Sequence, residues 1–165
     1  MATPTARLRA LWRRLAPLPG GKRLFSLMLG RIVPYTGSIA PIVLELRPGY
    51  AKVAMRDTRR VRNHLRSVHA IALMNLAEVT SGLALTVGLP DDVRGIVTQL
   101  RIEYLKKARG ALTAESTTTV PDVHEAIEHV VEAVIRDADG DPVARASAYW
   151  RLAPQTERTP AAAGA

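Results

Sequence analysis

The sequence contains no cysteine. A disulfide framework, a thiolate zinc centre and a cysteine nucleophile are therefore excluded. Aromatic residues are scarce, with two Trp, four Tyr and one Phe in 165 residues, a poor stock for stacking nucleobases. No stretch reaches the roughly 18 consecutive apolar residues that a membrane-spanning helix needs. Acidic residues are missing from residues 1–44, where Arg7, Arg9, Arg13, Arg14, Lys22, Arg23 and Arg31 supply seven positive charges. The chain has 23 Lys and Arg against 15 Asp and Glu, so setting those seven aside leaves 16 against 15 in residues 45–165. The net charge of +8 thus belongs to an N-terminal arm, and the rest of the chain is nearly neutral. With few aromatics and a neutral body, no nucleic-acid partner is expected.

What is present is an apolar fraction of 47%, enough for a packed core in one ordinary domain. Three parts are expected: a basic helical arm over residues 1–35, a folded domain over 36–153, and a Pro/Ala-rich disordered tail over 154–165. In the arm, residues 6–15 form a basic amphipathic pattern that Pro17, Pro19, Gly20 and Gly21 break before a second short apolar stretch from Leu24 to Leu29. The apolar run is too short and interrupted for a secretory signal, so a cytoplasmic protein is expected. The arm reads as a helix packed on the domain edge with its arginines in water. A peripheral contact with anionic lipid is a second reading. Removal of residues 1–20 is expected to leave the activity of the domain largely intact.

After the arm the pattern becomes strand-like. Residues 39–47 read as a strand, Pro48-Gly49 as a turn, and residues 50–57 as the returning strand. A basic loop over 58–67 precedes residues 70–86, five turns of helix that are apolar on nearly every face. Such a helix is enclosed on all sides. Four further strands are expected at 95–108, 109–119, 127–136 and 142–152, with Ile96, Thr98, Leu100, Ile102 and Tyr104 sharing one face of the first. The whole reads as an α+β domain with one long central helix wrapped by an antiparallel sheet of about six strands.

Glu78 lies in the middle of the most apolar helix. A buried carboxylate costs several kcal/mol unless it is paired, hydrogen-bonded or protonated. Just before the helix stands His69, so the first backbone N–H groups, around Ala70 and Ile71, lack intrahelical partners and can meet developing negative charge.

Asn63, His69 six residues on, and Glu78 nine residues after that follow an order and spacing that resemble the hot-dog acyl-CoA thioesterases of the phenylacetate-pathway type. The stretch Ile102-Glu103-Tyr104-Leu105-Lys106 is similar to that family's strand ending in aromatic, aliphatic and basic residues. The resemblance covers roughly residues 36–152. It is nearest to a thioesterase-like branch that carries His-Ala-Ile in place of His-Gly-Gly. It implies the hot-dog fold and thioester hydrolysis at a site shared by two subunits of a homodimer, which can pair into a tetramer. Glu78 then matches the carboxylate that acts as base or nucleophile. The N–H of Ala70 matches the group that polarises the thioester carbonyl, and Asn63 and His69 complete the catalytic set.

Coenzyme A carries several phosphate charges, and arginine pairs well with phosphate. Arg59, Arg60 and Arg62 in the loop, with Lys106 and Lys107 at the strand end, are the expected contacts, and Ile71 and Asn75 join them as substrate-binding residues. Ile71 stands where the family has its second glycine, and its side chain is expected to narrow or fill the acyl pocket. No metal and no cofactor are expected, coenzyme A entering only as part of the substrate. A non-catalytic acyl-thioester or lipid-binding protein is the alternative. A zincin reading of His124, Glu125 and His129 fails on spacing, and Asp137, Asp139 and Asp141 are read as a hairpin turn.

Overall fold

A computed structural model of the chain describes residues 3–155. Nearly all of the expected disordered tail lies outside the described residues. Helices α1 (Pro4–Leu15), α2 (Gly21–Ile32) and α3 (Pro34–Gly37) lead into strands β1 (Ile42–Arg47) and β2 (Tyr50–Met55). A 3-10 turn (Arg59–Val61) precedes the long helix α4 (Ala70–Thr86), and β3 (Val93–Tyr104), β4 (Leu112–Thr117), β5 (Ile127–Arg136) and β6 (Pro142–Pro154) complete the chain. The strands form one antiparallel sheet of six in the order β1-β2-β4-β5-β6-β3. The expected arrangement of a long helix wrapped by six strands is present.

The buried face of the sheet follows the period-two rule. Ala51, Val53 and Met55 of β2 face inward with Leu112 and Ala114 of β4, and α4 packs on them through Leu73, Leu76 and Leu83. The turn between β1 and β2 uses Gly49 at φ 77°, a conformation that disfavours other residues. Its N–H reaches across to donate to the Ala84 carbonyl of α4.

The N-terminal helices join this core. Phe25 of α2 is fully buried with Leu29 in the same cluster as Val43 of β1, and Trp12 of α1 meets Phe25 edge-on at a centroid distance of 5.0 Å. Buried Ser26 donates to the Lys22 carbonyl within α2 and accepts from the Val43 N–H, which ties α2 to β1. The outer face of α2 leaves Leu24, Leu27 and Ile32 exposed. No helix among the described residues is long and apolar enough to cross a membrane.

Strand β3 corrects the simple alternation. A register shift between Val97 and Gln99 interrupts its pairing with β6, so Val97 and Leu100 turn toward the same cavity while Ile96 is 66% exposed. β3 is also an edge strand, with no strand on its outer side among the described residues.

Candidate active site

Helix α4 is buried along most of its length, and its first three turns open only at Ala70, Ile71, Met74 and Glu78. Residues three, four and seven apart share a helical face. Ile71, Met74 and Glu78 accordingly line one cavity of about 440 Å³, together with Asn75, Tyr35 and the β3 residues Val97 and Leu100. The walls are mostly apolar. The Glu78 carboxylate is partly buried among them and has no hydrogen bond or ion pair among the described residues, and this burial raises its pKa above the ordinary carboxylate range. An unpaired, perturbed carboxylate in a cleft is the pattern of a functional acid or base.

His69 is the N-cap of α4, and its Nδ1 accepts the Ile71 N–H at 3.1 Å. Two consequences follow. The Ile71 N–H is not free to meet a substrate, contrary to the sequence reading, whereas the Ala70 N–H has no partner among the described residues. With Nδ1 accepting, the neutral ring carries its proton on Nε2. His69 lines a second cavity of about 210 Å³ with Ser38, Arg60, Arg62 and Ala72, which shares Tyr35, Ile71 and Asn75 with the Glu78 cavity. The Tyr104 hydroxyl donates to the Ala70 carbonyl at 3.1 Å and holds the helix start against β3.

Asn63 organises its own loop. Its Oδ1 accepts from the Leu65 N–H at 2.9 Å, the Ser67 N–H at 3.2 Å and the Ser67 hydroxyl at 3.2 Å. Arg66 in this turn adopts φ 55°. Only the Asn63 Nδ2 is left to donate elsewhere. Asn75 is buried, and its Nδ2 donates to the Tyr35 carbonyl at 2.9 Å, fastening α3 over α4.

The basic residues divide. Arg62 pairs with Asp57 at 2.7 Å, and Asp57 also accepts the Gly110 N–H, so this arginine holds a loop. The Arg62 guanidinium is the main cause that keeps the Asp57 carboxyl below its ordinary range. Lys106 is held by Asp137 at 2.6 Å and Asp141 at 2.8 Å, closing the β5–β6 hairpin rather than standing free at the strand end. Arg59, Arg60 and Lys107 are exposed and make no ion pair among the described residues, and Arg60 alone of these three lines a described cavity. Ile71 is 53% exposed and stands on the shared rim of the two cavities, so it borders the pocket without filling it. Of the other histidines, His64 is exposed in the Asn63 loop, whereas His124 stands against Asp122 and His129 against the Thr118 hydroxyl.

The sequence reading missed Tyr35, Met74, Val97 and Leu100 as pocket residues. Tyr35 and the β3 pair carry no local signal, whereas Met74 lies three residues from Ile71 and four from Glu78 on the helical repeat.

The profile of a family described as a domain of unknown function, DUF4442, matches residues 21–152. The chain belongs to this family. The match takes in α2 as well as the sheet and α4, so the second N-terminal helix lies within the family domain. No curated protein matches significantly. Among solved structures, the structural-genomics protein APC5556 is 33% identical, with a TM-score of 0.76 over 91% of this chain and 98% of its own. PA5026 from Pseudomonas aeruginosa, named a probable thioesterase, is 22% identical at a TM-score of 0.69, over 83% of this chain and 97% of its own. The thioesterase HI1161 from Haemophilus influenzae is 14% identical at a TM-score of 0.68, over 79% of this chain and 92% of its own. The family domain in this chain therefore has the hot-dog fold of thioesterase-family structures.

Proposed function

We propose that the protein hydrolyses an acyl-CoA thioester at the Glu78 cavity. The observation that carries this reading is Glu78 itself, an unpaired and partly buried carboxylate with a raised pKa on the one open stripe of the central helix. The acyl group lies in the apolar cavity of about 440 Å³. Ala70 and Glu78 of one chain stand eight residues, about 12 Å, apart along α4, so Glu78 of one copy faces the helix start of a second copy, where the carbonyl oxygen takes up negative charge toward the Ala70 N–H. Glu78 acts in one of two ways. As a base it removes a proton from water, and the resulting hydroxide oxygen bonds to the carbonyl carbon. As a nucleophile its oxygen forms that bond first, and water then cleaves the anhydride. In both routes the carbon–sulfur bond breaks, its electron pair leaves with sulfur, and the thiolate takes up a proton. Asn63 Nδ2 and His69 Nε2, on the same copy as that helix start, are the side-chain donors on the carbonyl side.

The site extends to a second copy of the chain. β3 is an open edge and supplies Val97 and Leu100 to the Glu78 cavity, so a partner along this edge would close the cavity's outer wall. We infer that the active form is a homodimer.

The test is a panel of short, long and aromatic acyl-CoAs with a thiol reagent, using wild type and Glu78→Gln. Release of thiol by wild type and its loss in the variant supports hydrolysis; equal turnover by the two removes Glu78 from the mechanism. A second reading, acyl-thioester binding without hydrolysis, is favoured by the engagement of the Ile71 N–H and Asn63 Oδ1 within the protein. It predicts saturable binding with no thiol released.

A further inference from the structure

A cavity of about 770 Å³ lies between the N-terminal helices and the rim of β1 and β2. Four arginines line it: Arg23 and Arg31 from α2, Arg56 just after β2, and Arg60 from the 3-10 turn. No carboxylate lines it, and none of the four makes an ion pair among the described residues. Other cations that meet a carboxylate are held by it, as Arg9 is by Asp91, Lys52 by Glu115, Arg62 by Asp57, and Lys106 by Asp137 and Asp141. Lone exposed cations such as Arg59 and Lys107 occur as well, so what sets the groove apart is four arginines converging on one cavity. Four like charges around one groove repel one another until an anion joins them.

The groove is continuous with the candidate active site. It shares Ser38 and Arg60 with the cavity of about 210 Å³ beside His69, which in turn shares Tyr35, Ile71 and Asn75 with the Glu78 cavity. The path thus runs from four cations, past the start of α4, to an apolar pocket with a carboxylate. A ligand that matches it is polyanionic at one end and apolar at the other, with its reacting group between.

We propose that this groove binds the phosphates of the coenzyme A portion of the substrate, so that α2 is a substrate-binding element and not only an edge helix. Arg23 and Arg31 lie eight residues apart on α2 and face Arg56 and Arg60 across the groove. Guanidinium groups on opposite walls can hold separate phosphates of one nucleotide. The proposal rests on the thioesterase reading for the identity of the ligand, but its test does not depend on turnover.

The experiment measures binding of adenosine 3′,5′-bisphosphate, the phosphate-bearing end alone, to the full-length protein by calorimetry. Wild type and Glu78→Gln should bind it equally, whereas the Arg23→Gln/Arg31→Gln double variant should bind it at least about tenfold more weakly. Both arginines are exposed, so the double variant should keep the wild-type melting curve. Arg56→Gln, on the other wall, should weaken binding in the same direction. In turnover, the double variant should raise KM for an acyl-CoA by about tenfold, while KM for the same acyl group on pantetheine, which lacks the nucleotide phosphates, moves by less than about twofold. Unchanged nucleotide binding in the double variant overturns the proposal, even if Glu78→Gln has lost turnover. Loss of binding to phosphatidylglycerol vesicles with nucleotide binding intact also overturns it and assigns these arginines to lipid. Nucleotide binding that depends on them in a protein hydrolysing no thioester upholds the groove and removes the thioesterase reading instead.

Discussion

Trp150 packs its indole on Gly82 of α4: a Cβ at Gly82 would lie 3.2 Å from the Trp150 Cζ2 and 3.4 Å from its Cη2. The same Cβ would lie 4.0 Å from the Oε1 of Glu78, one turn earlier. The absence of a side chain at Gly82 therefore lets β6 approach the helix and leaves room beside the candidate catalytic carboxylate. Gly82→Val should destabilise the protein by about 1–3 kcal/mol, the usual effect of overpacking a core. Gly82→Ala should do less harm, because a gain in helix propensity of about 1 kcal/mol offsets part of the contact. Urea denaturation of the two variants checks the order, and a valine variant as stable as wild type would show that the indole yields freely.

Glu78→Gln should lose thioester hydrolysis by a factor of about 10²–10⁴ in kcat while gaining, or at least keeping, stability at neutral pH. The sign follows from the raised pKa. Between the ordinary carboxylate pKa and the raised one, the folded protein binds more protons than the unfolded chain, so stability falls as pH rises through that interval. Above it the folded protein carries a desolvated charge that glutamine does not have. Melting curves at pH 4 and pH 8 should show the variant's advantage at the higher pH and its decline at the lower. The wild-type rate should rise with pH through a limb lying above the ordinary Glu range. A limb at the ordinary value would indicate that Glu78 is not the titrating group.

The expected bounds of the central helix, residues 70–86, coincide with α4, because its start and end are marked locally by His69 and by Leu89-Pro90. Strand β5 at residues 127–136 was legible for the same reason, with a turn rich in Asp and Gly behind it. Glu78 stood out because a carboxylate in an apolar helix demands a compensating cause. The bulge in β3 left no such mark, since the apolar alternation runs unbroken through Val97 and Gln99. Gly20-Gly21 reads as a helix breaker, yet Gly20 at φ 74° starts α2 in the left-handed conformation that glycine permits. The pairing of Lys106 was invisible, because Asp137 and Asp141 lie more than a hairpin away in sequence. Whether Arg60 faces a cavity and Arg59 does not is decided by the 3-10 turn that carries both.

His69→Ala should lower stability by about 1 kcal/mol, the typical value of a lost N-cap. It also releases the Ile71 N–H from the imidazole, which holds it at 3.1 Å. His69→Asn can restore a cap, so it should recover the stability. It should not recover the rate if the imidazole Nε2 donates to the substrate carbonyl. Chemical denaturation and turnover, measured on both variants, separate capping from catalysis; joint recovery in His69→Asn would assign His69 to capping alone.

Removal of α1 should be more damaging than its place on an N-terminal arm suggests. Arg9 donates to the Leu89 carbonyl at 3.0 Å and the Val87 carbonyl at 3.4 Å, and it pairs with Asp91. Helix α4 has no basic residue in its own last turn, so Arg9 supplies from another helix the positive charge that favours a helix C-terminus. Trp12 adds its contact with Phe25, which deletion of residues 1–20 would also remove. Arg9→Ala should lower stability by about 1–2 kcal/mol, a few degrees in Tm for a chain of this size. Deletion of residues 1–20 should lower it further, because Leu8, Leu11, Trp12 and Leu15 then leave the core surface. Thioester turnover at a temperature where the truncated protein remains folded should stay close to wild type, since no α1 residue lines the three connected cavities. A truncated protein that melts with wild type would show that Arg9 and Trp12 contribute nothing to the fold.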